Sequence, residues 1–146
     1  MEWRKALKAI SAGTIAPVYV CYGPEVYLMN ELIAAITGKL VDPDQREFAV
    51  SKFDLHETPV EAVVEDVETL PFMAERKIVI AKNAAMFTGA KDTGKAEHDL
   101  DRLAAYLKAP VDYTVLIFTV QADKLDERKK IVKSLKEADA LSLACL

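Results

Sequence analysis

The residues best spaced for chemistry are Gly89-Ala90-Lys91-Asp92-Thr93-Gly94-Lys95, which fit G-x-x-x-x-G-K. In a working loop of this type, backbone N–H groups cradle phosphates, the lysine reaches them and a following Ser or Thr holds magnesium. Here the following residue is Ala96, so the hydroxyl is missing. No compact strand-loop-helix unit surrounds the motif either: the strand pattern before it ends near Ala81, and the helix pattern after it begins near Asp99. A polar surface loop accounts for the stretch better than nucleotide binding does.

The other position that invites a phosphate is Gly23, between an apolar run and a helical pattern in "PVYVCYGPEVYLMNELI", residues 17 to 33. Pro24 removes one N–H donor there. Glu25 adds a negative charge, which suits the helix dipole and repels phosphate. Ligands of doubly wound sheets bind at the carboxyl ends of strands. The ends of the first, third and fourth strands carry Cys21 and Tyr22, then Lys82 and Asn83, then Thr119, Val120 and Gln121, none of which is a metal-binding carboxylate. There is no G-x-S-x-G elbow, and neither Cys21 nor Cys145 has a histidine or cation beside it. Both cysteines sit in apolar runs and read as reduced core thiols. His56 and His98 are isolated in polar segments. No cofactor, metal or catalytic residue is expected.

The elements that would position these residues alternate along the chain. Trp3, Leu7 and Ile10 mark one face of a helix over residues 2–12, with Gly13 as its stop. A buried strand follows at "PVYVCY". Leu28, Leu32 and Ile36, with Met29 and Ile33, form the apolar stripe of the next helix. "VDPDQ" reads as a turn and "EFAVSKFD" as a strand of period two. At residues 58–61, Thr58 and Glu61 suit a capping box with Pro59 at the first helical position. That helix runs to about Glu68, and Pro71 disfavours helical geometry at Leu70. "RKIVIA" is a strand, "LDRLAAYLKA" a helix and "YTVLIFTV" the most apolar strand. Asp126 reads as the cap of a helix "ERKKIVKSLKEA", and "ALSLACL" reads as a last strand. Strands alternating with helices predict an α/β domain, a mostly parallel sheet covered on both faces.

The chain has 146 residues, 51% of them hydrophobic and 29% charged, with a formal net charge of −4. That is one domain with enough apolar content for a core. It is no basic surface for DNA or anionic lipid, and no run approaches the length of a membrane span. The close on a core-like strand fits the first domain of a longer protein.

One segment is left over: "TLPFMAERKIVI", residues 69 to 80. Pro71 can open a short helical turn that carries Phe72 and Met73. Adjacent residues on a helix lie about 100° apart, so one turn does not easily bury both in the same core. They either protrude as an apolar knob rimmed by Glu75, Arg76 and Lys77, which is the composition of a protein-binding hot spot, or roof the sheet. Spacing alone favours the roof, since apolar residues usually lie inside.

Three stretches together, "LPFMAERKIVIAKNA", "PVYVCYGPEVYLMNELI" and "YTVLIFTVQADKLDERKKIVKSLKE", resemble the delta subunit of the bacterial DNA polymerase III clamp loader. The resemblance covers nearly the whole chain and fits that family's first domain, without the helical lid and collar domains that follow in the family. It implies a RecA/AAA+-like five-stranded parallel sheet in the order 5-1-4-3-2, helices on both faces and a degenerate nucleotide site. It implies a cytoplasmic, non-ATPase replication subunit with no catalytic site of its own. Such a subunit binds the sliding clamp (beta subunit), helps open it, and works with tau/gamma ATPase subunits and a delta-prime subunit, meeting DNA only through the complex. The Ser-Arg-Cys motif of some loader subunits is absent at "QADKLDERKK". In the family an exposed apolar pair before an arginine plugs a pocket of the clamp. The matching residues are Phe72 and Met73, flanked by Leu70 and Pro71, with Arg76 downstream. The family's pair is commonly leucine-phenylalanine, so Phe-Met departs in detail. This implication turns the balance from roof to exposed wedge. The competing readings are a small nucleotide-binding domain that uses Gly89–Lys95 and a scaffold domain with some other protein partner.

Overall fold

The computed structural model describes residues 2–91 and 94–146. The chain alternates α1 (Trp3–Ser11), β1 (Val18–Tyr22), α2 (Val26–Leu40), α3 (Arg46–Ala49), β2 (Val50–Asp54), α4 (Val60–Glu68), β3 (Lys77–Lys82), α5 (Leu100–Lys108), β4 (Thr114–Val120), α6 (Lys130–Glu137) and β5 (Ala140–Ala144). The five strands form one parallel sheet in the order β2-β3-β4-β1-β5. This is the RecA/AAA+-like order 5-1-4-3-2 viewed from the other edge.

Period two along each strand splits the core into two layers. Val18 and Val20 of β1, Val79 and Ala81 of β3, and Leu116 and Phe118 of β4 face α4, α5 and α6. Their neighbours Tyr19, Cys21, Ile78, Ile80, Val115 and Ile117 face α1 and α2. Strands buried on both faces read as continuous apolar runs, and "TVLIFTV", the most apolar, is the middle strand of the sheet. Helix α2 buries Met29, Leu32 and Ile36 of its stripe. Cys21 and Cys145 are both free and buried, and the Cys21 thiol is pushed up by its contact with Cys145 and by burial.

Several local expectations are corrected. "EFAVSKFD" is not one strand: a 3-10 turn at Pro43–Gln45 runs directly into the helical turn α3, and only Val50–Asp54 is extended. The apparent alternation misleads because the exposed Phe48 pairs with Phe72 outside the sheet, with ring centroids 6.1 Å apart. The capping box at Thr58 does not form. Pro59 is the N-cap, the Val60 N–H donates to His98 Nδ1 at 3.0 Å, and Glu61 Oε1 accepts from the Asp99 N–H at 3.1 Å. The start of α4 is thus capped from the segment before α5. Asp126 closes a turn by accepting from the Arg128 N–H, and α6 begins only at Lys130.

Candidate protein-binding site

Helix α4 packs Val60, Val63, Val64 and Val67 into the core and stops at Thr69, which is extended (φ −71°, ψ 133°) ahead of Pro71. A helix C-terminus leaves its last carbonyls without intrahelical partners. Here neighbouring side chains satisfy them. Thr69 Oγ1 donates to the Glu65 carbonyl at 2.8 Å, Thr114 Oγ1 to Val67 at 2.8 Å, and the Tyr113 hydroxyl to Glu68. The Lys77 ammonium donates to the Asp66 carbonyl at 2.6 Å and to Thr69 at 3.3 Å. It also lies 3.6 Å from the Asp66 carboxylate. Lys77 is the first residue of β3, so its side chain ties the two ends of the 70–76 segment together. A cation at this helix end also complements the α4 dipole.

Between those ends the chain forms a bend with no helical turn, which corrects the expected turn at Pro71. Met73 adopts φ +54°, the left-handed region that a side chain makes uncommon. The local reversal turns consecutive apolar side chains outward. Leu70, Phe72 and Met73 are 73, 68 and 70% exposed. They do not roof the sheet. Pro71 is half-buried, and Ala74 packs on the layer beneath α1 and α2, anchoring the far limb of the bend. Arg76 is half-buried as well, and its enclosed Nε has no hydrogen-bond partner among the described residues. Lys77 is buried and so does not belong to the expected polar rim, whereas Glu75 is exposed. Two residues that sequence reasoning did not single out touch the apex. Phe48 meets the Phe72 ring edge-to-face at 78°, and Gln45 Nε2 donates to the Met73 carbonyl at 3.3 Å. The available signal was a phenylalanine just before the edge strand and soon after a proline turn.

This knob stands at the amino ends of the strands. The carboxyl ends, where nucleotides bind in related architectures, are built differently. Gly23 has φ +130°, and a Cβ there would fall 2.3 Å from the Cys145 carbonyl oxygen. That carbonyl accepts the Glu25 N–H at 3.2 Å, and the Cys145 N–H donates to Tyr22 at 2.7 Å. The glycine is therefore needed for the close approach of the chain end beyond β5, and an amide at the entrance of α2 is engaged. A cavity of about 610 Å³ lies beside it, with Asn30, Lys52, Asp54, Lys82, Asn83 and Gln121 among its lining residues. Hydrogen bonds from Asn83 Nδ2 at 2.8 Å and from the His56 N–H at 2.9 Å hold the Asp54 carboxyl below its usual range. Among the described residues no group of three or more His, Cys, Asp or Glu is placed to hold a metal.

Of the Gly89–Lys95 stretch, Asp92 and Thr93 lie outside the described residues. The Lys95 and Ala96 N–H groups both donate to the His56 carbonyl, at 2.7 and 3.2 Å. A Cβ on Gly94 would come within 2.6 Å of His56 Cα. The described part of this loop is stitched to the turn after β2.

Residues 19–145 match the family described as DNA polymerase III, delta subunit. The chain belongs to the DNA polymerase III delta subunit family. It is 42% identical over 130 residues to the DNA polymerase III subunit delta of Bacillus subtilis (strain 168), covering 89% of this chain and 38% of that protein. The solved structure of the Bacillus subtilis DNA clamp loader delta protein superposes with a TM-score of 0.90 at 39% identity, over 98% of this chain and 42% of that one. The chain thus spans about two fifths of the length of these delta relatives. A gamma subunit-related DNA polymerase III protein of Thermotoga maritima matches with a TM-score of 0.62 at 12% identity, over 99% of this chain and 45% of that one, and shares the fold. No helix among the described residues is long and apolar enough to cross a membrane.

Proposed function

We propose that this delta-family chain binds the sliding clamp through Leu70, Pro71, Phe72, Met73 and Arg76 and helps open it for DNA, without binding or hydrolysing ATP itself. The observation that carries the reading is a cluster of three large apolar side chains, each about 70% exposed, on a segment whose two ends Lys77 ties together. Exposed apolar clusters rimmed by polar groups mark interaction sites. Burying a Leu, Phe or Met side chain is worth roughly 1.5–3 kcal/mol. Three such anchors reach the scale of a specific contact after association has cost several kcal/mol in lost freedom.

Opening a ring requires more than grip. The wedge must bind the open or distorted interface better than the closed one, because a ligand shifts an equilibrium only by its differential affinity. The chain's place is as the first domain of a longer cytoplasmic subunit, working beside tau/gamma ATPase subunits and a delta-prime subunit and meeting DNA through the assembly. The engaged Glu25 and Lys95 amides support a subunit that leaves ATP to its neighbours, and count against nucleotide binding through Gly89–Lys95.

A Phe72→Ala, Met73→Ala variant tests the reading by equilibrium binding to purified sliding clamp. Both side chains are largely exposed, so the fold stays intact while affinity falls by at least about 30-fold, the loss expected for two partly buried anchors. Undiminished affinity with an intact fold rules the wedge out and leaves a scaffold domain with a different partner.

A further inference from the structure

The apex of the 70–76 bend is supported from a separate part of the chain. The 3-10 turn at Pro43–Gln45 and helix α3 stand beside it, because β2 and β3 are parallel neighbours with Val50 opposite Ile78. The residues just before each strand therefore meet at the same end of the sheet. Phe48 sets the edge of its ring against Phe72, and Gln45 holds the carbonyl of Met73, the residue in the left-handed conformation. Phe48 is itself 41% exposed and is not part of the buried core. Its principal aromatic contact is with a side chain that otherwise projects into water. A free phenylalanine and methionine at a loop tip would sample several rotamers, and ordering them would weigh against association. An edge-to-face partner restricts the Phe72 ring, and the carbonyl tether fixes the backbone that carries Met73, before any partner arrives.

We propose that Phe48 and Gln45 are positioning residues that pre-organise the wedge for docking, Phe48 through the Phe72 ring and Gln45 through the Met73 carbonyl, and not by touching the partner. The inference rests on the clamp-binding reading above for its consequence, and on the contacts of the unbound chain for its cause. The approach of α3 to the bend also explains why a helical turn precedes the edge strand.

Two measurements on the whole chain test it. In the first, 4-fluorophenylalanine at position 72 reports by ¹⁹F NMR in the absence of partner. Phe48→Ala is expected to move the resonance to its denatured-chain position, and Phe48→Tyr, which keeps the ring edge, to leave it near the original. A resonance unmoved by Phe48→Ala overturns the proposal whatever the partner is. In the second, affinity for purified sliding clamp is measured for Phe48→Ala, Phe72→Ala and the double variant. Phe48→Ala is expected to weaken binding about two- to tenfold, in line with the coupling of an aromatic pair, and to have no further effect once Phe72 is alanine. Losses that simply add, or no loss from Phe48→Ala, overturn the positioning role. Failure of the clamp reading itself shows separately, as a Phe72→Ala variant that binds as well as the parent.

Discussion

Lys77 carries one of the most consequential side chains in the molecule although it touches no partner in the proposed function. Its ammonium is nearly buried and satisfies the carbonyls of Asp66 and Thr69 beside the Asp66 carboxylate. Lys77→Met keeps the length and the apolar stem but removes both donations and the cation beside the Asp66 carboxylate, leaving the Asp66 carbonyl with the Thr69 N–H alone. A hydrogen bond to a charged group contributes about 1.5–3 kcal/mol, so urea unfolding should show a loss of that size with an unchanged slope. Clamp affinity should fall with it, because the neck of the bend is released. At this scale the sequence revealed residue types but not their directions. Phe72 and Met73 stood out as an apolar pair, yet their exposure depends on the left-handed φ of Met73, which neither propensity nor spacing announces for a non-glycine residue. Lys77 read as a surface charge because its acceptors are carbonyls of α4, brought near only by the fold.

At the scale of elements, the β1–α2 junction shows how one signal can have two causes. A glycine after a buried strand and before a helix suits a phosphate loop, but Gly23 answers to the Cys145 carbonyl that lies where its Cβ would be. Gly23→Ala forces either the left-handed strain or displacement of the end of β5. Strain of this kind costs about 1–3 kcal/mol, which chemical denaturation would register as a lower midpoint. A substitution without effect would contradict the assigned role of the glycine. The regular elements were readable because apolar period fixes them: the stripe of α2 and the runs of β1, β3 and β4 lie as expected. The caps were less so. Thr58 yielded to His98, which accepts the Val60 N–H, while Glu61 turned to the Asp99 N–H, each partner 38 residues away, and tertiary caps leave no local pattern. The helical turn α3 hid inside an alternating run because four residues are too few to establish a period.

For the whole molecule, the sheet separates two ends with opposite characters. The amino ends carry the pinned apolar knob. The carboxyl ends carry a loop whose Glu25 amide is engaged and a cavity whose Asp54 is tied to Asn83. Titration with labelled ATP and magnesium should accordingly give no saturable binding up to millimolar nucleotide, and saturation in the micromolar range would restore the nucleotide reading. Periodicity identified the elements but not their neighbours. The order β2-β3-β4-β1-β5 was accessible only through resemblance to the delta family, since many orders satisfy the same alternation of strand and helix. The two ends also make the proposed function testable by position. A photoreactive phenylalanine analogue in place of Phe72, irradiated with purified sliding clamp, should cross-link to an apolar pocket of the clamp, while the same analogue in place of the exposed Tyr27 at the carboxyl end should not. Cross-linking from position 27 with none from position 72 would contradict the account.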